Sequence, residues 1–319
     1  MNKKNVAYLF PGQGAQYSGM AMDLLSSDAV KSLFDTASEI FGKNIKELLQ
    51  SDAEILKRTD VSQPVITVAS LAAASFLTEQ GYSPAACAGF SLGEYSALVC
   101  SGILEVSDCL RLVKIRGEVM QKASDRLREA SGAGASPGMA AIVGLDPQQL
   151  TDLIAQWTAA GLKDLYAANF NSRKQSVVSG TAAALAEAET RFKEAGAKRV
   201  LRLQVAGPFH SPLMADAADA FRSTLNEITF RDPVIPVFSN VTGKLISSGE
   251  EAKKLALMQI TSPVHWIEEE ASAAESGIEA CLEVGPGRVL QGLWKDSGSE
   301  IPVFAAGTSE DILKIGINS

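Results

Sequence analysis

A serine stands between two glycines in the stretch C-A-G-F-S-L-G-E-Y-S-A, residues 87 to 97. The spacing G-x-S-x-G suits a nucleophilic hydroxyl on a sharp strand-to-helix turn. Gly89 and Gly93 permit the bend, and Ser91 projects at the start of a helix. Main-chain N–H groups and the helix dipole favour a developing negative charge there. A plain turn with an N-capping serine is the competing reading, and the motif alone does not separate the two. The apolar run Ala85–Phe90 before it, and the helix formers L-G-E-Y-S-A-L-V-C after it, supply the context a nucleophile needs.

A serine nucleophile needs a base titrating near neutrality, and histidine is the usual one. The chain has only His210 and His265. His210 lies in V-A-G-P-F-H-S-P-L-M, where Gly207 and Pro208 force a loop and Ser211-Pro212 opens a helix. Catalytic groups favour such loops on a rigid frame. His265, in S-P-V-H-W, falls at the first turn of a helix and reads as a packing or surface residue.

A third chemical group comes from helical spacing. Over Val106–Arg126, residues Cys109, Leu112, Val113, Val119, Met120 and Ala123 form one apolar stripe. Arg116 falls inside it, whereas Arg111, Lys114, Glu118 and Lys122 lie off it. A core-facing arginine needs a partner. A structural salt bridge, a guanidinium snorkelling to the surface, or a carboxylate on a substrate would each serve. The opening loop F-P-G-Q-G-A-Q-Y-S-G-M matches neither a P-loop nor G-x-G-x-x-G. It could still aim the Gln13 N–H at an oxyanion.

The elements that position these groups alternate between short β-rich runs and amphipathic helices, which predicts an α/β fold with a mainly parallel sheet. Strands are expected at Val6–Phe10, Ala85–Phe90, near Val237–Ser239, at Ala280–Val284 and Val303–Ala305. The run A-S-G-A-G-A-S-P-G, residues 130 to 138, reads as a mobile connection. A self-contained β-α-β-α-β stretch follows: Met139–Val143, Pro147–Thr158, Ser176–Ser179, Ala182–Ala195 and Arg199–Leu203. Residues 1–135 and 205–319 are thus expected to form the core and 136–204 an inserted α+β unit, with a ligand cleft between them.

Composition narrows the function. Of the 319 residues 46% are apolar and 21% charged, as in ordinary globular proteins. The net charge of −8 argues against a nucleic-acid partner. No apolar run approaches the roughly 20 residues of a bilayer span, and Val6–Phe10 is too short for a signal-peptide core, so no membrane partner and a cytoplasmic location are expected. Cys87, Cys100, Cys109 and Cys281 lack metal-like spacing and read as reduced core thiols.

Six segments, in order, resemble the malonyl-CoA:acyl carrier protein transacylases, the acyltransferases of fatty-acid and polyketide synthesis. They are F-P-G-Q-G-A-Q, G-F-S-L-G-E-Y-S-A-L, K-I-R-G-E-V-M, G-P-F-H-S-P-L-M, Q-I-T-S-P-V-H-W and L-E-V-G-P-G-R-V-L, covering about residues 5 to 307. The resemblance implies an α/β-hydrolase-like core carrying a small ferredoxin-like subdomain. It implies Ser91 as the acylated nucleophile, His210 as its base and later acid, and Arg116 as the receptor of the malonyl carboxylate. The N–H groups of Gln13 and Leu92 would form the oxyanion hole. The main-chain carbonyl of Gln259 would orient the histidine in place of an aspartate, and Asn169 and Asn171 would line the cleft. Leu92 and Phe209 match malonyl-selective relatives, an aromatic Phe209 crowding an α-methyl branch. The partners implied are malonyl-CoA and an acidic acyl carrier protein, for which Lys193, Lys198, Arg199 and Arg202 form the best basic cluster. No metal or redox cofactor is called for, and the oligomeric state is left open, a monomer being compatible with the sequence. Phe90 departs from the family, which usually has histidine before the serine. A serine esterase or thioesterase on a related core, or a silent carrier-binding module, are the rival readings.

Overall fold

The computed structural model describes residues 2–132 and 136–317. In chain order the elements are β1 (Val6–Phe10), α1 (Asp28–Phe41), α2 (Ile45–Leu49), α3 (Ala53–Leu56), α4 (Thr59–Glu79), β2 (Pro84–Gly89), α5 (Gly93–Cys100) and α6 (Val106–Ala130). Then come β3 (Gly138–Val143), α7 (Pro147–Ala159), β4 (Leu165–Ser172), β5 (Gln175–Gly180), α8 (Ala182–Glu194) and β6 (Arg199–Arg202). The chain closes with α9 (Ala215–Glu227), α10 (Gly249–Met258), α11 (Trp266–Glu275), β7 (Ala280–Glu283), α12 (Val289–Ser297), β8 (Val303–Ala305) and α13 (Ser309–Ile317).

Two sheets organise these elements. The first, in the order β2-β1-β7-β8, is parallel throughout. Alternation along β1 sends Val6, Tyr8 and Phe10 into the larger core, with α4 and α6. Ala7 and Leu9 point the other way, into a second core built on Trp266 and Trp294. Both faces are therefore buried, as a parallel sheet requires. The register pairs Phe10 with Gly89, so the loops leaving β1 and β2 emerge side by side at the carboxyl edge.

The second sheet, in the order β4-β5-β3-β6, is antiparallel and has its own apolar core around Leu150, Trp157, Leu185 and Phe192. Its chain order, β-α-β-β-α-β, has one strand more than the sequence led us to expect. Strand β4 went unread because L-Y-A-A-N-F-N-S carries two asparagines, which count against strand formation. The register also slips between Ala167 and Asn169 and between Phe170 and Ser172. We propose that 136–204 is the inserted unit, because β3 to β6 form ladders only with one another among the described residues. The connection expected across 130–138 lies partly outside the described residues, which exclude 133–135.

Two further expectations need correction. The strand near Val237–Ser239 shrinks to single bridges, Val237 to Cys87 and Phe238 to Leu245, because Pro236 precedes it and a turn at Asn240–Gly243 ends it. Helix α4 is, by length and composition, apolar enough to cross a membrane, which the sequence reading missed because its apolarity is spread over Ala, Ser and Thr. Within the fold, 89% of its most apolar window is buried, so it is a core helix.

The two sheets meet where the site forms. Phe170 N donates to Val264 O (2.9 Å) and Val264 N to Ala168 O (2.8 Å), which ties β4 to the loop before α11. The hydroxyl of Ser179, on β5, donates to the carbonyl of Phe209. At the carboxyl edge of the first sheet the backbones come closest. A Cβ on Gly93 would stand 2.1 Å from Phe10 O, and one on Gly89 2.1 Å from Gly93 C. Gly93→Ala is therefore expected to destabilise the protein by about 2–3 kcal/mol through overpacking against rigid backbone, read as a lower urea midpoint. An unchanged midpoint would show that β1 and α5 can separate without loss.

Candidate active site

Strand β2 ends at Gly89 and α5 begins at Gly93, leaving Phe90, Ser91 and Leu92 to make the turn. Ser91 adopts φ +51°, a left-handed conformation that costs a non-glycine residue about 1–3 kcal/mol and persists only when its surroundings enforce it. Gly93 N donates to Phe90 O (2.9 Å) and Phe90 N to Phe10 O (2.9 Å), which pins the bend. The serine does not cap α5: no side-chain oxygen accepts from the helix start. Its Oγ instead lies 2.7 Å from His210 Nε2. The capping alternative is thereby excluded.

His210 is 3% exposed and also left-handed, at φ +56°. Its Nδ1 donates to Gln259 O (2.9 Å) and, more weakly, to Ser262 O (3.2 Å). Two carbonyls can only accept, so the ring proton sits on Nδ1 and Nε2 is left as an acceptor for the serine hydroxyl. Burial lowers the imidazole pKa from its ordinary 6.5 to about 4, and the positive charge of Arg116 acts in the same direction. The two carbonyl contacts offset part of that fall. Ser211 Oγ donates to Pro208 O (2.6 Å) and steadies the loop.

Arg116 is 1% exposed, which excludes snorkelling. Its Nη2 donates to Gln259 Oε1 (3.0 Å) and its guanidinium lies 5.4 Å from the centre of the Tyr95 ring. Nε is buried without a partner. Among the described residues no carboxylate comes within 4.0 Å of it, so the structural salt bridge is excluded too. A buried guanidinium that lines a cavity and has no carboxylate of its own is equipped to take a planar anion from outside.

These groups face one cavity of about 280 Å³, which Gln13, Phe90, Asn169, Asn171 and Phe209 also line. Asn169 and Asn171, on β4, are 4% and 8% exposed, and Asn171 Oδ1 has no partner. Leu92 and Gln259 lie behind the cavity wall, buried at 1% and 0%. Among the described residues the main-chain N–H groups of Gln13 and Leu92 find no acceptor, so both can donate to an oxyanion. Phe90, the departure noted above, packs edge-on against Trp266 with ring centres 5.4 Å apart. His265 stands apart against Phe170, with Glu268 Oε2 3.7 Å from its Nδ1. The four cysteines are free and buried or half-buried. Among the described residues no three His, Cys, Asp or Glu converge as a metal-ligand set.

Sequence reasoning missed the side chain of Gln259. Its Nε2 faces Ser91 O (2.9 Å), Glu94 Oε2 (2.9 Å) and Asn240 Oδ1 (3.2 Å), while its Oε1 accepts from Arg116. One residue thus touches the serine, the arginine and, through its carbonyl, the histidine. Q-I-T-S-P carries no spacing signal that would announce this.

A serine hydroxyl against a neutral imidazole, at the carboxyl edge of a parallel α/β sheet, is the equipment of serine-dependent acyl-transfer enzymes. The sequence comparison agrees: the chain belongs to the acyl transferase domain family, whose model matches residues 7–310, and it is an acyltransferase. It is 38% identical to the malonyl CoA-acyl carrier protein transacylase of Bacillus subtilis (strain 168), over 96% of this chain and 95% of that one. It is similar in structure to an acyl carrier protein S-malonyltransferase from Vibrio cholerae, with TM-score 0.89, 37% identity, and coverage of 98% of this chain and 100% of that one. A malonyl-transacylase solved with a type II polyketide acyl-carrier protein superposes with TM-score 0.90 at 35% identity, covering 99% of this chain and 100% of that one.

The depressed pKa of His210 has a direct signature. In an NMR titration its imidazole is expected to stay neutral to about pH 4. The unfolded chain takes up that proton first, so this group's contribution lowers stability as pH falls from 6.5 toward 4. A midpoint near 6.5 would mean that the ring is not held dry and neutral.

Proposed function

We propose that the chain moves a malonyl group from malonyl-CoA, through an ester on Ser91, to the phosphopantetheine thiol of an acyl carrier protein, in fatty-acid or polyketide synthesis. The observation that carries this reading is Arg116: a buried cation with no carboxylate of its own opens onto the cavity that holds the serine and histidine. The relatives named above, all malonyl transacylases, support the same substrate.

In the first half-reaction His210 Nε2 takes the proton of Ser91 as Oγ attacks the thioester carbonyl. The N–H groups of Gln13 and Leu92 receive the oxyanion. Collapse breaks the carbon–sulfur bond, and the imidazolium returns its proton to the departing CoA sulfur. In the second half the carrier thiol gives its proton to Nε2 and attacks the seryl ester. Ser91 leaves, recovers the proton, and the malonyl thioester departs on the carrier. Gln259 O holds the imidazole upright and stabilises its charged form less than a carboxylate would.

Arg116 holds the malonyl carboxylate in a forked pair, which orients the thioester and selects diacids. Phe209 crowds an α-methyl branch, a discrimination of about 1–3 kcal/mol. Asn169 and Asn171 offer side-chain amides to the acyl or pantetheine portion. Lys193, Lys198, Arg199 and Arg202 are exposed beside the edge strand β6 and suit an acidic carrier. Every step uses groups of this chain, the malonyl-CoA thioester and the carrier thiol, without a metal or redox cofactor. We place the enzyme in the cytoplasm, in keeping with a buried α4 and free cysteines.

Initial rates with malonyl-CoA and holo carrier protein are expected to give parallel double-reciprocal lines. Arg116→Ala is expected to lower malonyl transfer about a hundredfold, the loss of a charge-assisted pair, while sparing acetyl transfer. Intersecting lines would contradict the acyl-enzyme. Equal losses for both acyl groups would make Arg116 structural, and CoA release that ignores the carrier would indicate a hydrolase.

A further inference from the structure

Behind the elbow lies a buried polar group that the reaction above does not use. Glu94, three residues after Ser91 in the first turn of α5, is 1% exposed. A Ser-x-x-Glu spacing ordinarily turns the glutamate back onto the serine N–H as a capping box. Here Glu94 points away. Its Oε2 accepts from Asn240 N (3.0 Å) and from Gln259 Nε2 (2.9 Å), and its Oε1 is buried without a partner.

The contact with Gln259 matters because an amide has two unlike ends. The guanidinium of Arg116 can only donate, so Gln259 must turn its oxygen to it, as it does at 3.0 Å. That orientation requires the NH₂ end to face acceptors on the other side. Glu94 Oε2 is one such acceptor, beside the Ser91 carbonyl and the Asn240 amide oxygen. Turned over, the amide would set NH₂ against guanidinium and its oxygen against the Glu94 oxygen, leaving buried donors and acceptors mismatched.

We propose that Glu94 is a positioning residue for recognition of the substrate's carboxylate: it locks the Gln259 amide with Oε1 toward Arg116, and so fixes the guanidinium in the cavity wall. The effect passes along one line, Glu94 to Gln259 to Arg116. It rests on the reading of Arg116 as carboxylate receptor. The carboxylate is kept one residue away from the arginine, so it sets the fork without occupying it. Glu269 completes the packing, accepting from Asn240 Nδ2 (2.8 Å), and Asn240 N in turn donates to Glu94.

The test is a competition. Each variant is exposed to an equimolar mixture of malonyl-CoA and acetyl-CoA, and intact mass gives the ratio of malonyl- to acetyl-enzyme. That ratio does not depend on the fraction of chains that fold. Glu94→Ala is expected to lower the ratio about tenfold, the scale on which loss of an outer hydrogen-bond partner acts. E94Q retains an acceptor oxygen for Gln259 and Asn240, and its ratio is expected to lie nearer the parent than Glu94→Ala. If Glu94→Ala yields no folded protein, Glu94→Asp is read in its place, since its shorter side chain withdraws the acceptor, and the ratio is expected to fall. An unchanged ratio, with both adducts reduced alike, overturns the proposal, as does an E94Q ratio that falls as far as that of Glu94→Ala. A parent that forms no malonyl adduct instead sinks the proposed function. A parent ratio that depends on Arg116 but not on Glu94 removes this inference alone.

Discussion

The arrangement depends on where the backbone of Gln259 passes. Its carbonyl accepts a hydrogen bond from His210 Nδ1 and its side-chain oxygen accepts one from Arg116 Nη2. The serine carbonyl faces its amide nitrogen. Gln259 caps the end of α10 and is fully buried, so neither half of it is free to adjust. A base, a cation and a nucleophile from three distant parts of the chain are thereby set against one rigid residue. Shifting that residue would disturb all three, which is the non-additive behaviour expected of a shared hydrogen-bond network.

The same burial decides the electrostatics. A guanidinium and an imidazole held in one dry pocket cannot both be charged cheaply. Arginine keeps its proton, so the histidine gives way, its pKa pushed down to about 4 by burial first and by the arginine second. Glu94, also buried, is pushed the other way, up to about 7, with the nearby Arg116 among the influences that hold it down. The site thus begins with a neutral base and a fixed cation. An incoming carboxylate would neutralise Arg116 and lighten the penalty on the imidazolium that forms when the serine gives up its proton. Binding of a diacid would in this way assist the base as well as orient the substrate.

Much of this was legible in the sequence, and the reasons differ by residue. Ser91 announced itself because the glycines two residues to either side stand where an added Cβ would come within about 2.1 Å of neighbouring backbone, a constraint that only residue type can meet. Arg116 was visible as a charge on an apolar stripe, although the stripe could not say what it paired with. His210 stood out because only two histidines exist. Gln259 was reached through family resemblance, and its side-chain contacts were not foreseen. Strand β4 went unread because tertiary pairing overrode the low strand propensity of its asparagines, and the strand near Val237 was overread because Pro236 and the turn at Asn240–Gly243 cut it to single bridges. Glu94 was hidden by its own motif, since a capping-box spacing gives no hint that the carboxylate faces inward.

The central claim is that Ser91 carries the acyl group between two thiols. Mixed with malonyl-CoA and no carrier protein, the enzyme is expected to release one CoA per chain and then stall, with peptide mapping placing a single malonyl ester on Ser91. Holo carrier protein should then discharge it. An ester found at another residue, or one that persists in Ser91→Ala, would contradict the account.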